Sequence, residues 1–272
     1  MHRPPLGQHF LHDPHAVRTI LDAAELEPTD CVLEIGPGRG VLTENLVESV
    51  ERLVAVELDR TLGPRMQERF GHLPGWMLVQ GDFLKTDLNA LFPEASLDHP
   101  IKILGNLPYS ITAPIFEKIL AWPGWITGVF LIQREVGNRM RSQPGSKTFG
   151  VLSLAVQLFA EVEAIAKVKP GAFTPPPRVM SMVIRLRRRK TLLLPERDIP
   201  AFFDLVHAAF SHRRKTLANT LSLFTHIPKN AVEAWLNDHH VRATARAETL
   251  GLGEYVKLAN PWAIFRREKN LT

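Results

Sequence analysis

Cysteine is almost absent from this chain of 272 residues, Cys31 being the only one. That excludes an internal disulfide and any multi-cysteine zinc site. The eleven histidines form no H-E-x-x-H motif and no H-x-x-x-H pair with a carboxylate partner, so no metal site is expected. Long apolar runs are missing too. The segment from Trp125 to Ile132 is among the longest; it is far short of a membrane span and predicts a core strand. The start, Met1-His2-Arg3-Pro4-Pro5, has no apolar stretch of the kind a secretory signal requires. Internal repeats and low-complexity tracts are lacking as well. A cytoplasmic location is the expectation from these absences.

What is present suits an ordinary globular protein, with 45% hydrophobic and 22% charged residues. The length accommodates one large domain and a small one. A formal net charge of +5 is compatible with a polyanionic partner without identifying one.

From Cys31 to about Gln133, apolar runs of strand length alternate with amphipathic stretches. Strands are predicted at 31–35, 53–58, 77–80, 101–104 and 128–133, each apolar rather than alternating, as in a parallel sheet covered on both faces. Helices are predicted at 41–49, 61–70 and 113–121, and Asp13-Pro14 opens another that runs to about Ala24. Strand–helix alternation of this kind predicts a doubly wound α/β domain. A further strand is expected from Val179 to Arg187. From Ile199 the period is helical, with Phe202, Phe203, Val206 and Phe210 on one face, and two or three more helices follow to about Trp262. The expected organisation is an α/β domain over 1–188 and a small all-helical domain over 189–272.

Three strand ends carry ligand-binding chemistry. After the first strand comes Gly36-Pro37-Gly38-Arg39-Gly40, where glycines let backbone approach a ligand closely. The third glycine of a dinucleotide fingerprint falls on Val41 instead, so the nicotinamide fingerprint fails. Glu57 ends the next strand, placed to accept from ribose hydroxyls, and Asp82 follows the third, placed to accept from an adenine amino group. Such sheets bind ligands at the carboxyl ends of their strands, so a cofactor containing a nucleoside is expected there.

The fourth strand ends in Asn106-Leu107-Pro108-Tyr109. The amino group of adenine is a poor nucleophile because its lone pair is delocalised into the ring. Acceptors held on its N–H bonds favour pyramidalisation and turn the lone pair outward; the Asn106 side-chain oxygen and the Leu107 or Pro108 carbonyl are of that kind. Proline stiffens the turn, and the Tyr109 ring offers a stacking face worth about 1–3 kcal/mol.

Six segments in order, from residue 6 to beyond 220, resemble the ribosomal RNA adenine dimethyltransferases. They are Gly7-Gln8-His9-Phe10-Leu11, the loop from Glu34 to Gly40, Asn106-Leu107-Pro108-Tyr109, Gln133-Arg134-Glu135-Val136, Phe173-Thr174-Pro175-Pro176-Pro177 and Arg213-Arg214-Lys215-Thr216. The small-subunit members of that family are the most similar. The resemblance implies a Rossmann-like S-adenosylmethionine-dependent methyltransferase domain with a small C-terminal helical domain that binds RNA. It implies dimethylation of N6 on two adjacent adenosines in the 3′-terminal hairpin of 16S rRNA within an immature small subunit, leaving S-adenosylhomocysteine. Contacts to the cofactor are implied for His9, Leu11, Gly36, Gly38, Glu57, Asp82 and Asn106. Asn106, Leu107, Pro108 and Tyr109 are implied around the target amine, with Phe173 packing on the flipped base. A monomer is expected. Two places depart from the family pattern: Met180 stands where an acidic residue is usual, and Phe149-Gly150-Val151 stands for tyrosine–glycine–arginine.

Phosphate contacts are expected from Arg213, Arg214 and Lys215, which open a helix predicted at 213–223, and from Arg139, Arg141 and Lys147 around a Pro-Gly loop. The run from Arg185 to Lys190 reads as a strand end and a solvated linker. Two other readings compete. One is a large-subunit rRNA adenine N6-methyltransferase, a group that tends to have isoleucine in place of Leu107. The other is a largely non-catalytic assembly or transcription factor of the same family, against which the intact Glu57, Asp82 and Asn106 argue.

Overall fold

In the computed structural model, residues 8–269 are described; Gly7 of the first motif and the Met1–Pro5 start lie outside them. The β-branched runs form strands, in chain order β1 (Phe10–Leu11), β2 (Cys31–Ile35), β3 (Arg52–Glu57), β4 (Trp76–Gln80), β5 (Ile101–Asn106), β6 (Trp125–Gln133), β7 (Ala160–Val168), β8 (Phe173–Thr174) and β9 (Ser181–Arg188). The helices are α1 (Pro14–Ala24), α2 (Thr43–Leu46), α3 (Gly63–Phe70), α4 (Leu88–Leu91), α5 (Thr112–Ala121), α6 (Arg134–Met140), α7 (Val151–Phe159), α8 (Ile199–Phe210), α9 (Leu217–Thr225), α10 (Lys229–Asp238) and α11 (Leu252–Glu268).

Seven strands make one sheet in the order β4-β3-β2-β5-β6-β9-β7, parallel from β4 to β6 and antiparallel beyond. The order reverses at β2, which pairs β3 on one side and β5 on the other. A crevice opens at such a switch point, outside the carboxyl ends of the strands. Val32, Leu33, Ile103, Leu104 and Val129 to Ile132 are wholly buried, which explains why these strands read as unbroken apolar runs. Helix α1 packs on β6, β7 and β9. Its start follows the sequence signal: the Asp13 carboxylate accepts the His15 N–H at 2.9 Å and Pro14 fills the first turn.

The chain divides into two compact units: one up to Gly137 plus Ala160–Lys190, the other Asn138–Phe159 plus Thr191 onward. The continuous division at residue 188 therefore needs correction, because the chain leaves the first unit after β6 and returns with β7. The reason is α7, whose sequence VLSLAVQLF is apolar almost all round. Phe159 stacks on Phe203 at 6.4 Å and Phe149 meets Phe210 at 6.5 Å, so these residues complete the aromatic core of the second unit. That core continues through Trp235, which lies 5.4 Å from the Trp262 ring and 5.2 Å from that of Phe265. Helix α11 runs through Pro261 to Glu268, past the expected end.

The helix expected to open at Arg213 begins at Leu217 instead, with Thr216 as its cap. Three cations at a helix N-terminus oppose the backbone dipole, and a threonine there satisfies a free N–H. Helix α2 is likewise shorter than the 41–49 expectation.

Asp204 ties α8 to α11 by accepting from the Trp262 indole at 2.6 Å and from Arg266 at 2.7 Å. Its replacement leaves a largely buried indole N–H and a guanidinium without their acceptor. Asp204→Ala should lower stability by about 1–3 kcal/mol, read as a lower denaturant midpoint for the second unit. Asp204→Asn should recover part of the loss.

Candidate active site

The ends of β2, β3 and β5 and the turn after β4 line one cleft, together with residues 8–11 of the N-terminal segment. It contains Gly36, Gly38, Glu57, Asp82, His9, Leu11 and Asn106 to Tyr109. The structure thus brings together the residues expected around the cofactor and the target amine, Phe173 excepted, and not the basic residues expected on phosphates.

The glycine loop takes conformations that other residues resist. Gly36 and Gly38 have φ of +66° and +60°, and a side chain on Gly36 would meet nothing within 4 Å, so the space beside it is open cleft. Glu57 anchors this loop. One carboxylate oxygen accepts the Gly38 N–H at 3.0 Å and the other accepts the Asp59 N–H at 2.8 Å. Burial pushes the Glu57 carboxyl above the ordinary range, and those N–H bonds pull it back. Each oxygen has a second lone pair, so the group retains capacity for a hydroxyl pair such as a ribose diol. Asp82 uses one oxygen to accept the Leu84 N–H at 2.9 Å, which fixes the carboxylate at the cleft wall. The donor and acceptor set therefore fits a nucleoside.

Glu34 is buried beneath the loop and accepts the Thr43 hydroxyl at 2.7 Å. It supports the loop from below. Burial raises its carboxyl to about 7, with the nearby Glu57 adding to the rise.

At the fourth strand end, the Asn106 Nδ2 donates to the His9 carbonyl at 2.8 Å, which turns Oδ1 to the other side. The His9 ring is held in turn, Nδ1–H donating to the Pro175 carbonyl at 2.7 Å, and lies 5.6 Å from the Tyr109 ring. The Tyr109 hydroxyl meets Ser181 Oγ at 2.5 Å. Pro108 changes role: its carbonyl already accepts from the Thr112 hydroxyl at 2.9 Å and the Ile111 N–H at 3.3 Å. The Leu107 carbonyl, with no such bonds among the described residues, is the remaining backbone acceptor of the two considered.

Two expectations need correction. Phe173 does not line the cleft. Its strand β8 pairs with β1, opposite Leu11, and both side chains are buried in the core with Val17 and Ile20. Arg213 is not a free cation, since its guanidinium donates to the Lys147 and Phe149 carbonyls, each at 2.9 Å, and lies over the Phe210 ring. Arg139, Arg141, Lys147, Arg214 and Lys215 are exposed. Sequence reasoning missed Phe10, Leu58 and Ser181. Phe10 packs against Gly38, with Arg39 over its ring at 4.4 Å. Leu58 is 48% exposed in the cleft, directly after Glu57. An apolar residue following that carboxylate was the available signal.

Fold and site together define a Rossmann-like methyltransferase domain with a small helical unit. The family model for ribosomal RNA adenine dimethylase matches residues 1–263, and the chain belongs to that family. The ribosomal RNA small subunit methyltransferase A of Alkaliphilus oremlandii is 39% identical over 257 residues, covering 94% of this chain and 90% of its own. The same-named protein of Pseudomonas savastanoi is 40% identical over 259 residues, covering 95% and 93%. Among solved structures, a dimethyladenosine transferase from Plasmodium falciparum shares the fold, with a TM-score of 0.80, 24% identity and coverage of 94% and 98%. The 23S rRNA methyltransferase ErmE is similar at a TM-score of 0.70 and 27% identity, covering 93% and 99%.

Glu34 gives a pH signature. Its carboxyl moves from 4.5 to about 7 on folding, so the native state holds the proton more tightly. This contribution to stability is fully present below 4.5 and lost as pH rises through about 7. Glu34→Gln removes it while keeping an acceptor for Thr43. Stability measured against pH should show the wild type losing roughly 3 kcal/mol relative to the variant across that window.

Proposed function

We propose that this chain transfers methyl groups from S-adenosylmethionine to N6 of two adjacent adenosines in the 3′-terminal hairpin of 16S rRNA, forming N6,N6-dimethyladenosine. The substrate is the RNA within an immature small ribosomal subunit, met by a monomer in the cytoplasm. The observation that carries this reading is the fixed Asn106 amide at the end of β5, in one cleft with Glu57, Asp82 and the glycine loop. The identity to small-subunit relatives supports the choice of 16S over 23S RNA.

The cofactor, when bound, supplies an electrophilic methyl group on sulfonium sulfur. Glu57 accepts from its ribose, Asp82 from its adenine amino group, and Gly36 and Gly38 leave room for it. Asn106 Oδ1 and the Leu107 carbonyl accept the two N–H bonds of the target amine in the first transfer and the one remaining N–H in the second, favouring the pyramidal nitrogen that attacks. The proton displaced at each transfer passes to water. The positive charge growing on that nitrogen strengthens both hydrogen bonds, so they act on the transition state more than on the bound substrate. The Tyr109 face stacks on the extruded base, and Ser181 and His9 fix the plane of that ring. Outside the cleft, Arg139, Arg141, Lys147, Arg214 and Lys215 contact RNA phosphates, while Arg213 holds the 147–149 backbone in shape.

The test is labelled methyl transfer to small subunits lacking the modification. Asn106→Ala should reduce transfer by about 10²–10³-fold and leave subunit binding intact. Full transfer by the variant would remove the amide from the mechanism; transfer by the wild type to large-subunit RNA alone would assign the other substrate. Ser181→Ala should lower the rate by about tenfold at saturating cofactor without altering cofactor affinity, as expected when a stacking ring loses its anchor.

A further inference from the structure

The first unit has a second cleft. It lies between the start of α1 on one side and the end of β7 with the segment that joins it to β8 on the other, and its volume is about 560 Å³. His12 and His15 line one side and Lys167 and Lys169 the other. Lys167 and Lys169 are two apart on an extended segment, so they project to the same face. All four side chains are exposed. The acid among the lining residues is Asp13, and one of its oxygens is committed to the His15 N–H.

Neighbouring cations on the sheet behave differently. Arg185 and Arg187 pair with Glu25, and Arg185 and Arg189 pair with Glu163 and Glu161. Among the described residues, Lys167 and Lys169 have no carboxylate within ion-pairing distance. The protein thus neutralises one group of cations on and just after β9 and leaves two lysines facing two imidazoles across an open cleft. Such a site fits an extended polyanion. The segment that lines it also lines the active cleft: His9 lies in one, His12 in the other, and at most about 10 Å of extended chain separates them.

We propose that this basic cleft receives the phosphate backbone flanking the adenosine held in the active cleft. The inference rests on the RNA-methylating reading above and adds a phosphate-binding surface in the catalytic unit itself. Lys167 and Lys169 supply charge, and His12 and His15 supply ring N–H donors.

The test is equilibrium binding of the full chain to unmethylated small subunits across about 50 to 200 mM salt. The variant K167Q/K169Q should show a log–log salt slope shallower by about 1.4, the release expected for two phosphate contacts to single-stranded RNA, and affinity reduced about tenfold at the low-salt end. The variant K167E/K169E should bind more weakly still. Affinity for S-adenosylhomocysteine and the thermal midpoint should match the wild type in both. An unchanged slope in a variant so folded would overturn the proposal. So would a loss of equal size at every salt concentration, which would assign the cleft to a protein of the particle. Wild-type protein that neither binds small subunits nor methylates their RNA would instead overturn the functional reading on which this rests.

Discussion

The bond from the Asn106 amide to the His9 carbonyl decides what the active corner can do. A carboxamide has a donor end and an acceptor end, and a half-turn about its terminal torsion exchanges them. Here the donor is committed at 2.8 Å. The exchange would set two carbonyl oxygens against each other and leave a partly buried N–H unmatched, a cost of about 1–3 kcal/mol. The acceptor is therefore presented toward the cleft without any catalytic partner in place. His9 is itself held by the Pro175 carbonyl, so the orientation of one amide depends on residues far apart in the chain. Tyr109 is drawn into the same arrangement through the His9 ring and through Ser181. The acceptor geometry is built before the substrate arrives, which is the condition for electrostatic stabilisation of a developing charge.

Two acidic side chains one strand apart divide a second task. Glu34 and Glu57 are both buried, yet their hydrogen bonding differs. Glu57 receives two backbone N–H bonds, which favour the charged form, and it faces the cleft. Glu34 receives a single hydroxyl, and its carboxyl rises to about 7. A neutral or half-protonated Glu34 limits the repulsion that two adjacent buried carboxylates would otherwise suffer. The loop above them is then fixed from one side by Glu57 and supported from the other through Thr43.

The inner parallel strands β2, β3, β5 and β6 were legible in the sequence because strands buried on both faces read as continuous apolar runs, and the carboxyl ends of the parallel strands carried the polar residues of the cleft. Glu57, Asp82 and Asn106 were found by that logic. β7 was not, since Ala160–Val168 is an edge strand with exposed Glu161, Glu163 and Lys167, and its apolar signal is weak. The excursion of Asn138–Phe159 into the second unit was also hidden, because periodicity shows that α7 is apolar but not which core it joins. Phe173 shows the same limit. Its motif was expected to pack on the target base, while the pairing of β8 with β1 leaves its ring buried in the core. Ser181 lies 72 residues from Tyr109, and no local pattern couples them.

Charge is where sequence and structure diverge most, and the divergence has a physical cause. A run of basic residues says nothing about which of them are already bonded. Arg185, Arg187 and Arg189 stand in the densest cationic stretch of the chain, yet all three are paired with glutamates. Arg213 belongs to the most suggestive basic motif, but its donors are taken by two carbonyls. Guanidinium groups, with several donors in a plane, are easily recruited to such internal roles. Lysines on short exposed segments, with no carboxylate in reach, are the better candidates for exchanging counterions with RNA. Lys167 and Lys169 form no sequence motif at all, and only the fold reveals them as a pair facing a common space. In a protein of modest net charge, recognition of a polyanion then depends on which cations the fold leaves unneutralised beside the cleft.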